Sequence, residues 1–386
     1  MAFSYVVLFV LLGITTTAVA GWRIRTRRRR HQSAYHDEKK RFEVDDNSEH
    51  VSQTAPMIEP LPDFDWQNEE PLRLRPFKPT YHITMALQTV TPSSLILLDK
   101  NYLRHITARQ KTIALHPQVV LGSIPSSAQP LQELYTYLLG TYLPSRYPGL
   151  FTLSPQPLYP TTGLLSGAKY FNNTISQKSF PLSPIPRASE EEMLRAIGET
   201  IEDDIFLLTE SELGHVCTAF ICCHPSGFDP STKLGKTLAE IHGPVPSYRE
   251  KIGRSMERFF GRLESGKRVG RVNWGIQTHS NLYAPSGNHV HANEEYTELL
   301  PHEVEISETR LRVELQSLMR LPETKALVFS FKTFLYPLED IKKEEEGTGE
   351  QLAEAIEGLS KGNAPGMGVY KGGVKWGRVV TDYLRS

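Results

Sequence analysis

The sequence predicts an α+β fold, a largely antiparallel sheet with flanking helices, behind one N-terminal transmembrane helix. Three observations predict it. Residues 2–21 (AFSYVVLFVLLGITTTAVAG) are uncharged, and about 20 residues rising ~1.5 Å each would cross a ~30 Å hydrocarbon core. Residues 204–208 (DIFLL) and 215–221 (HVCTAFI) are β-rich runs separated by a polar segment ending in Gly214, the pattern of a hairpin. From there the periodic runs follow in the order strand, strand, helix, helix, strand, helix, strand, which suits helices set against one sheet.

The first element is the anchor. Trp22 sits where an interfacial aromatic belongs, and Arg23, Arg25 and the run Arg27–Arg30 follow at once. Ala18-Val19-Ala20 resembles a cleavage site, but the segment has no positive n-region, so a retained span is expected. Positive charge stays on the cytosolic side, which predicts a single-pass protein of the endoplasmic reticulum membrane with its folded part in the cytosol. The expected division is residues 1–22 as anchor, 23–59 as a basic, disordered linker too polar to bury a core, and 60–386 as the folded domain.

Within 60–386, residues 60–79 are rich in proline and aromatics and predict an extended arm packed down by Phe64, Trp66 and Phe77. Helices are predicted over 99–116 and 130–143 from their apolar spacing, the second stopped by Pro144. Residues 151–188 hold many prolines and serines and read as loop with at most one short element. Ser189 and three glutamates form an N-cap and an acidic first turn. After the hairpin, helices are predicted over 231–242 and 246–263, a strand over 271–277, a helix over 307–318, a strand over 326–334 and a charged helix over 339–361. The glycine-rich end GMGVYKGGVKWG reads as a peripheral cap.

The formal net charge of -1 over 386 residues excludes a general nucleic-acid binder, because the basic charge is concentrated in one short run. Cys217, Cys222 and Cys223 crowd one apolar stretch, which reads as buried strand cysteines in a reducing compartment and not as a disulfide framework. Gly235-Lys236-Thr237 lacks the glycine a phosphate-binding loop needs five positions earlier, where Pro230 stands. His289-Val290-His291 puts two imidazoles on one face if extended, yet no carboxylate or cysteine set accompanies them, and a solvated loop is the plainer reading.

Three patterns carry more. His242 ends a helical run ahead of Gly243-Pro244: it is either a histidine favoured by the helix C-terminal dipole or an axial haem ligand over a sheet. On a strand, Arg271 and Asn273 share a face opposite Val272 and Trp274. On a helix, Arg312, Gln316 and Arg320 would share a face with Glu314 turned away, either as a polar network at a sheet edge or as donors for a bound acid group.

Taken together, LPSRYP (143–148), KLGKTLAEIHGPVP (233–246), RVNW (271–274), RVELQSLMRLP (312–322), the arm PDFDW and the closing YKGGVKWG resemble the haem-dependent oxidative N-demethylase alpha-subunit-like family, also called the HRQ family. The likeness runs from about residue 60 to 384, and the anchored layout resembles a fungal member. The resemblance implies a PAS-like haem domain, with b-type haem, that oxidises a small secondary amine with O2 and releases formaldehyde. An external reductase is implied too, since no cysteine set here could hold an iron–sulfur cluster. It makes His242 the expected haem ligand, Arg271, Asn273 and Arg320 expected cofactor contacts, and Glu314 the expected partner of a cationic amine. Bacterial relatives carry Arg-Gln where this chain has Leu315-Gln316, so one polar contact is expected to be missing. A haem or redox sensor without turnover, or an interaction module without cofactor, are the alternatives.

Overall fold

A computed structural model of the chain describes residues 58–161, 168–183, 189–291 and 294–386. Its strands are β1 (Gln88–Thr89), β2 (Leu121–Ser123), β3 (Phe151–Ser154), β4 (Lys169–Asn173), β5 (Lys178–Ser183), β6 (Asp204–Ser211), β7 (Gly214–Ile221), β8 (Arg268–Gln277), β9 (Arg310–Arg320) and β10 (Leu327–Pro337). Seven of them form an antiparallel sheet in the order β1-β8-β9-β10-β6-β7-β2, and β3-β4-β5 form a smaller one.

The period of two along each long strand sends alternate side chains to two different cores. Leu311, Val313 and Leu315 of β9, Val328 and Phe334 of β10, and Ile205 and Leu207 of β6 join a large core. Helices Tyr102–Leu115, Ala128–Tyr135, Glu190–Gly198, Thr348–Gly358 and Gly373–Arg385 contribute to that core. The intervening residues Phe206, Leu208, Leu318, Leu327 and Phe331 join a smaller core, covered by the segment 238–248 and by helix Arg254–Arg262. The arm is pinned as its aromatics suggest: Phe64 lies 5.0 Å from Tyr147, Trp66 6.3 Å from Tyr102 and Phe77 6.3 Å from Trp274. All three cysteines are buried and free.

One part of the predicted fold class needs correction. Among the described residues no helix is long and apolar enough to cross a membrane. Tyr102–Leu115, with 14 residues, falls short of the ~20 that a span needs. The stretch expected to form the span, and the linker as far as residue 57, lie outside the described residues.

Four further differences have physical causes. The segment predicted as helix 307–318 is β9, paired along its whole length with β8 and β10. Its Arg, Glu, Leu, Gln and Met are helix formers, but pairing on both edges overrides so weak a preference. Within the stretch read as loop, β3, β4 and β5 build the small sheet, where Asn172 of β4 accepts from Ser179 Oγ at 2.6 Å and donates to Ser154 Oγ at 2.8 Å. The helix predicted over 231–242 shrinks to a 3-10 turn, Pro230–Lys233, and a four-residue helix, Leu238–Ile241. The charged run 339–361 splits into Leu338–Lys342 and Thr348–Gly358 at Gly347, whose φ of +91° a side chain would resist.

Candidate functional site

The smaller core does not close. Between it and the sheet lies a cavity of about 330 Å³, within the range of ligand pockets. Apolar side chains, among them Phe206, Phe329, Met256 and Met367, make most of its wall, and one end is polar. Distant stretches of chain meet there: the arm near Tyr81, Ile83 and Met85, strands β8 and β9, the turn after His242, the loop 288–291 and residues 367–371. The arm is fixed by Ile83 N, which donates to Asn363 Oδ1 at 2.8 Å, and by Tyr81 N, which donates to Gly358 O at 3.0 Å.

His242 is positioned by a chain of local causes. Thr237 caps the short helix: its hydroxyl accepts from Glu240 N at 3.3 Å, while its own amide donates to Glu240 Oε2 at 2.8 Å. The helix ends after one turn, and Leu238 O, otherwise an orphan acceptor, takes both the amide of His242 at 3.0 Å and its ring Nδ1 at 2.8 Å. Since a carbonyl can only accept, Nδ1 carries the hydrogen, and Nε2 presents a lone pair that no described residue engages. The ring stacks on Tyr248 at 4.5 Å. Burial lowers its pKa, helped by Lys233 and Arg271 and opposed by the Leu238 carbonyl, so the imidazole is held neutral.

The polar end is built from β8 and β9. Arg271 stands opposite Gln316 and Asn273 opposite Glu314 in the strand register, and all four face the cavity. Asn273 Nδ2 donates to Glu314 Oε2 at 3.4 Å, and Gln316 Nε2 donates to the same oxygen at 2.9 Å. Arg271 makes one long bond, Nη1 to Thr84 O at 3.3 Å, while its buried Nε has no partner. Burial lowers its pKa against the pull of Tyr81 and Glu314. Because β9 is a strand, Glu314 lies on the same face as Arg312 and Gln316, the reverse of the helical reading. Arg312 lines the cavity too; its two terminal nitrogens donate to Gln277 Oε1 and to the carbonyls of Leu282, His224 and Pro225, while its buried Nε has no partner.

Of the residues expected from sequence, His242, Arg271, Asn273 and Glu314 therefore line one cavity, and Arg320 does not. All three nitrogens of its guanidinium donate to carbonyls, Leu263, Lys325 and Phe260, tying the end of β9 to the helix before β8. Leu315 points into the large core, so the departure at that position leaves the cavity untouched.

Two wall residues escaped the sequence reading. His289, set aside as loop, stacks on Tyr370 at 4.3 Å and is pushed down to about 3 by burial, with Lys371 adding to the effect. Its ring lies against Gly227, where a Cβ would come within 2.7 Å of Nδ1 and where φ is +69°, so only glycine fits. Lys371, in the run read as a peripheral cap, is buried; Nζ donates to Asn273 Oδ1 at 3.1 Å and to Trp274 O. Burial brings it down to about 8, Glu314 opposing and Arg271 assisting. The only signal for Lys371 lay in its glycine neighbours: Gly372, at φ +73°, opens helix Gly373–Arg385. Among the described residues no cluster of three or more His, Cys, Asp or Glu side chains could hold a metal ion by itself. A comparison with known protein families finds that residues 86–381 match the model described as haem-dependent oxidative N-demethylase, alpha subunit-like.

Proposed function

We propose, from the premise that this chain belongs to the haem-dependent oxidative N-demethylase alpha subunit-like family, that the cavity beside His242 holds the haem. The protein then removes a methyl group from a small secondary amine, using O2 and electrons from an external reductase. One observation carries this reading: a neutral imidazole on a cavity wall, its Nδ1 committed to Leu238 O and its Nε2 free, is the arrangement a metal-binding histidine requires. The remaining residues fit the same group. The largely apolar wall suits the faces of a macrocycle, and the unsatisfied Arg271 guanidinium suits an acid side chain of the cofactor. Cys217, Cys222 and Cys223 are not among the lining residues, which supports a b-type haem held without covalent bonds.

A bound haem supplies iron for oxygen chemistry, and the polarity and access of its surroundings decide what that chemistry becomes. The chain's part is to hold and orient. Glu314 keeps Oε1 free while Asn273 and Gln316 fix Oε2, so its carboxylate is aimed to accept a hydrogen bond from a protonated amine. Phe329, Phe331 and their neighbours exclude water and strengthen that pairing.

His242→Ala tests the assignment. The variant should fold, losing about 1 to 2 kcal/mol for the missing hydrogen bond and ring contact. Its haem absorption band should shift or vanish, because an imidazole ligand would set the electronic state of the iron. An unchanged spectrum at full occupancy would place the ligand elsewhere, and a wild-type protein that stayed colourless with haem supplied would refute the reading altogether.

A further inference from the structure

We propose that the polar end of this cavity takes a small N-methylated amino acid, Glu314 receiving its ammonium group and Lys371 its carboxylate. The inference rests on the demethylase reading above and names the substrate class. Two opposite charges stand at that end within each other's field, yet no ion pair joins them among the described residues. The side chain of Asn273 lies between: its Oδ1 accepts from Lys371 Nζ at 3.1 Å, and its Nδ2 donates to Glu314 Oε2 at 3.4 Å. One amide thus orients both groups and keeps them apart.

Each retains spare capacity on the cavity side. Lys371 has two acceptors, Asn273 Oδ1 and Trp274 O, for the three donors of an ammonium group. Glu314 takes both amide donors on Oε2, which leaves Oε1 free. A buried cation and a half-buried anion held side by side without pairing are costly unless a ligand completes them.

A simple dialkylammonium ion would satisfy Glu314 but would meet the buried Lys371 cation with nothing to offer it. A plain carboxylate would meet the reverse problem at Glu314. A zwitterion answers both and brings no net charge into the apolar surroundings. The other groups facing Lys371 are the rings of Tyr81 and Trp274, 5.7 and 5.6 Å from Nζ, and His289, whose pKa of about 3 keeps it neutral. With Lys371 itself lowered to about 8, an arriving carboxylate favours its charged form.

Titration calorimetry at pH 7, with N-methylglycine, dimethylamine and acetate against protein with and without haem, tests this. N-methylglycine should bind at least about tenfold more tightly than dimethylamine, the worth of one hydrogen bond to a charged group. Lys371→Met should bring the two amines within about twofold, Lys371→Arg should keep part of the preference, and Glu314→Gln should weaken both. Equal affinities in the wild type, no binding of either amine, or an unchanged ratio in a natively folded Lys371→Met protein overturns the proposal. If Lys371→Met does not fold, the wild-type ratio still decides. A haem band that depends on His242, without this selectivity, sinks the substrate class and keeps the haem reading; selectivity in a protein that binds no haem does the opposite.

Discussion

Two buried lysines, one on each face of the large sheet, have opposite fates. Lys332 donates to Leu97 O, Asp99 Oδ2 and Glu202 Oε2 at 2.8 to 2.9 Å, so all three donors are matched. Burial alone would lower its pKa, but Asp99 and Glu202 more than reverse that and raise it. Lys371 has two acceptors and no ion-pair partner among the described residues, and its pKa falls. The arginines repeat the contrast. Arg109 donates to Gly198 O, Glu202 O, Asp203 O and Asp204 Oδ1, and its pKa is raised despite burial; Arg271 holds one long bond and its pKa is lowered. The lesson is that burial does not tell a structural charge from a functional one. Unfilled valence does.

The largest effect should come from the satisfied side. Lys332→Met leaves Asp99 and Glu202 buried without their cation and should cost about 3 to 5 kcal/mol, measured as a fall in unfolding free energy in urea. A loss below about 1 kcal/mol would break the contrast.

Lys371→Met should go the other way, gaining about 1 to 3 kcal/mol at pH 7. The folded pKa of about 8 lies below the 10.5 of a free lysine, so the unfolded chain binds more protons between those values. Wild-type stability therefore rises with pH through that window, and the advantage of the variant should be full below pH 8 and gone near 10.5. Melting curves at pH 7 and pH 10 measure it, and a variant less stable than wild type at pH 7 would move Lys371 to the structural group.

The smallest effect concerns the turn that aims His242. Thr237→Ala removes the cap of a four-residue helix and should cost about 1 kcal/mol or less in stability. Haem affinity should nonetheless fall a few-fold, because the ring is held by Leu238 of that same turn. Equal affinity by haem titration would show that the turn does not position the ligand.

Where the sequence can be read and where it cannot follows from how local each signal is. The hairpin β6–β7 and the faces of β8 were legible because alternation is written within a few residues: Val272 and Trp274 do turn away from Arg271 and Asn273. The N-cap at Ser189 and its acidic first turn were legible for the same reason; the structure adds a full capping box with Glu192. β9 was not, since its identity as a strand comes from partners on both sides, distant in sequence along β8 (Arg268 opposite Met319, Gln277 opposite Arg310) or across the turn to β10. The β3–β5 sheet hid behind its prolines and serines, which a short sheet tolerates when side chains such as Asn172 complete the bonding. His242, Arg271, Asn273 and Glu314 came from motif resemblance and fell together in space. Lys371 and His289 stood in stretches the sequence did mark, YKGGVKWG and His289-Val290-His291, but nothing local tied them to the site, because only the fold makes them neighbours of the other four.

The cavity wall draws on residues from Tyr81 to Lys371, and that has a consequence for biogenesis. A ribosome makes the chain in one direction, so β8, β9 and even β10 can pair before Tyr370 and Lys371 have left the exit tunnel. The arm from Tyr81 to Ile83 likewise waits for Gly358 and Asn363 to dock on, and until Tyr370 and Lys371 follow them the pocket stays open to solvent. Loading of any ligand is then a late event of maturation, and a nascent or prematurely ended polypeptide would display a nearly complete sheet with an unsealed binding chamber.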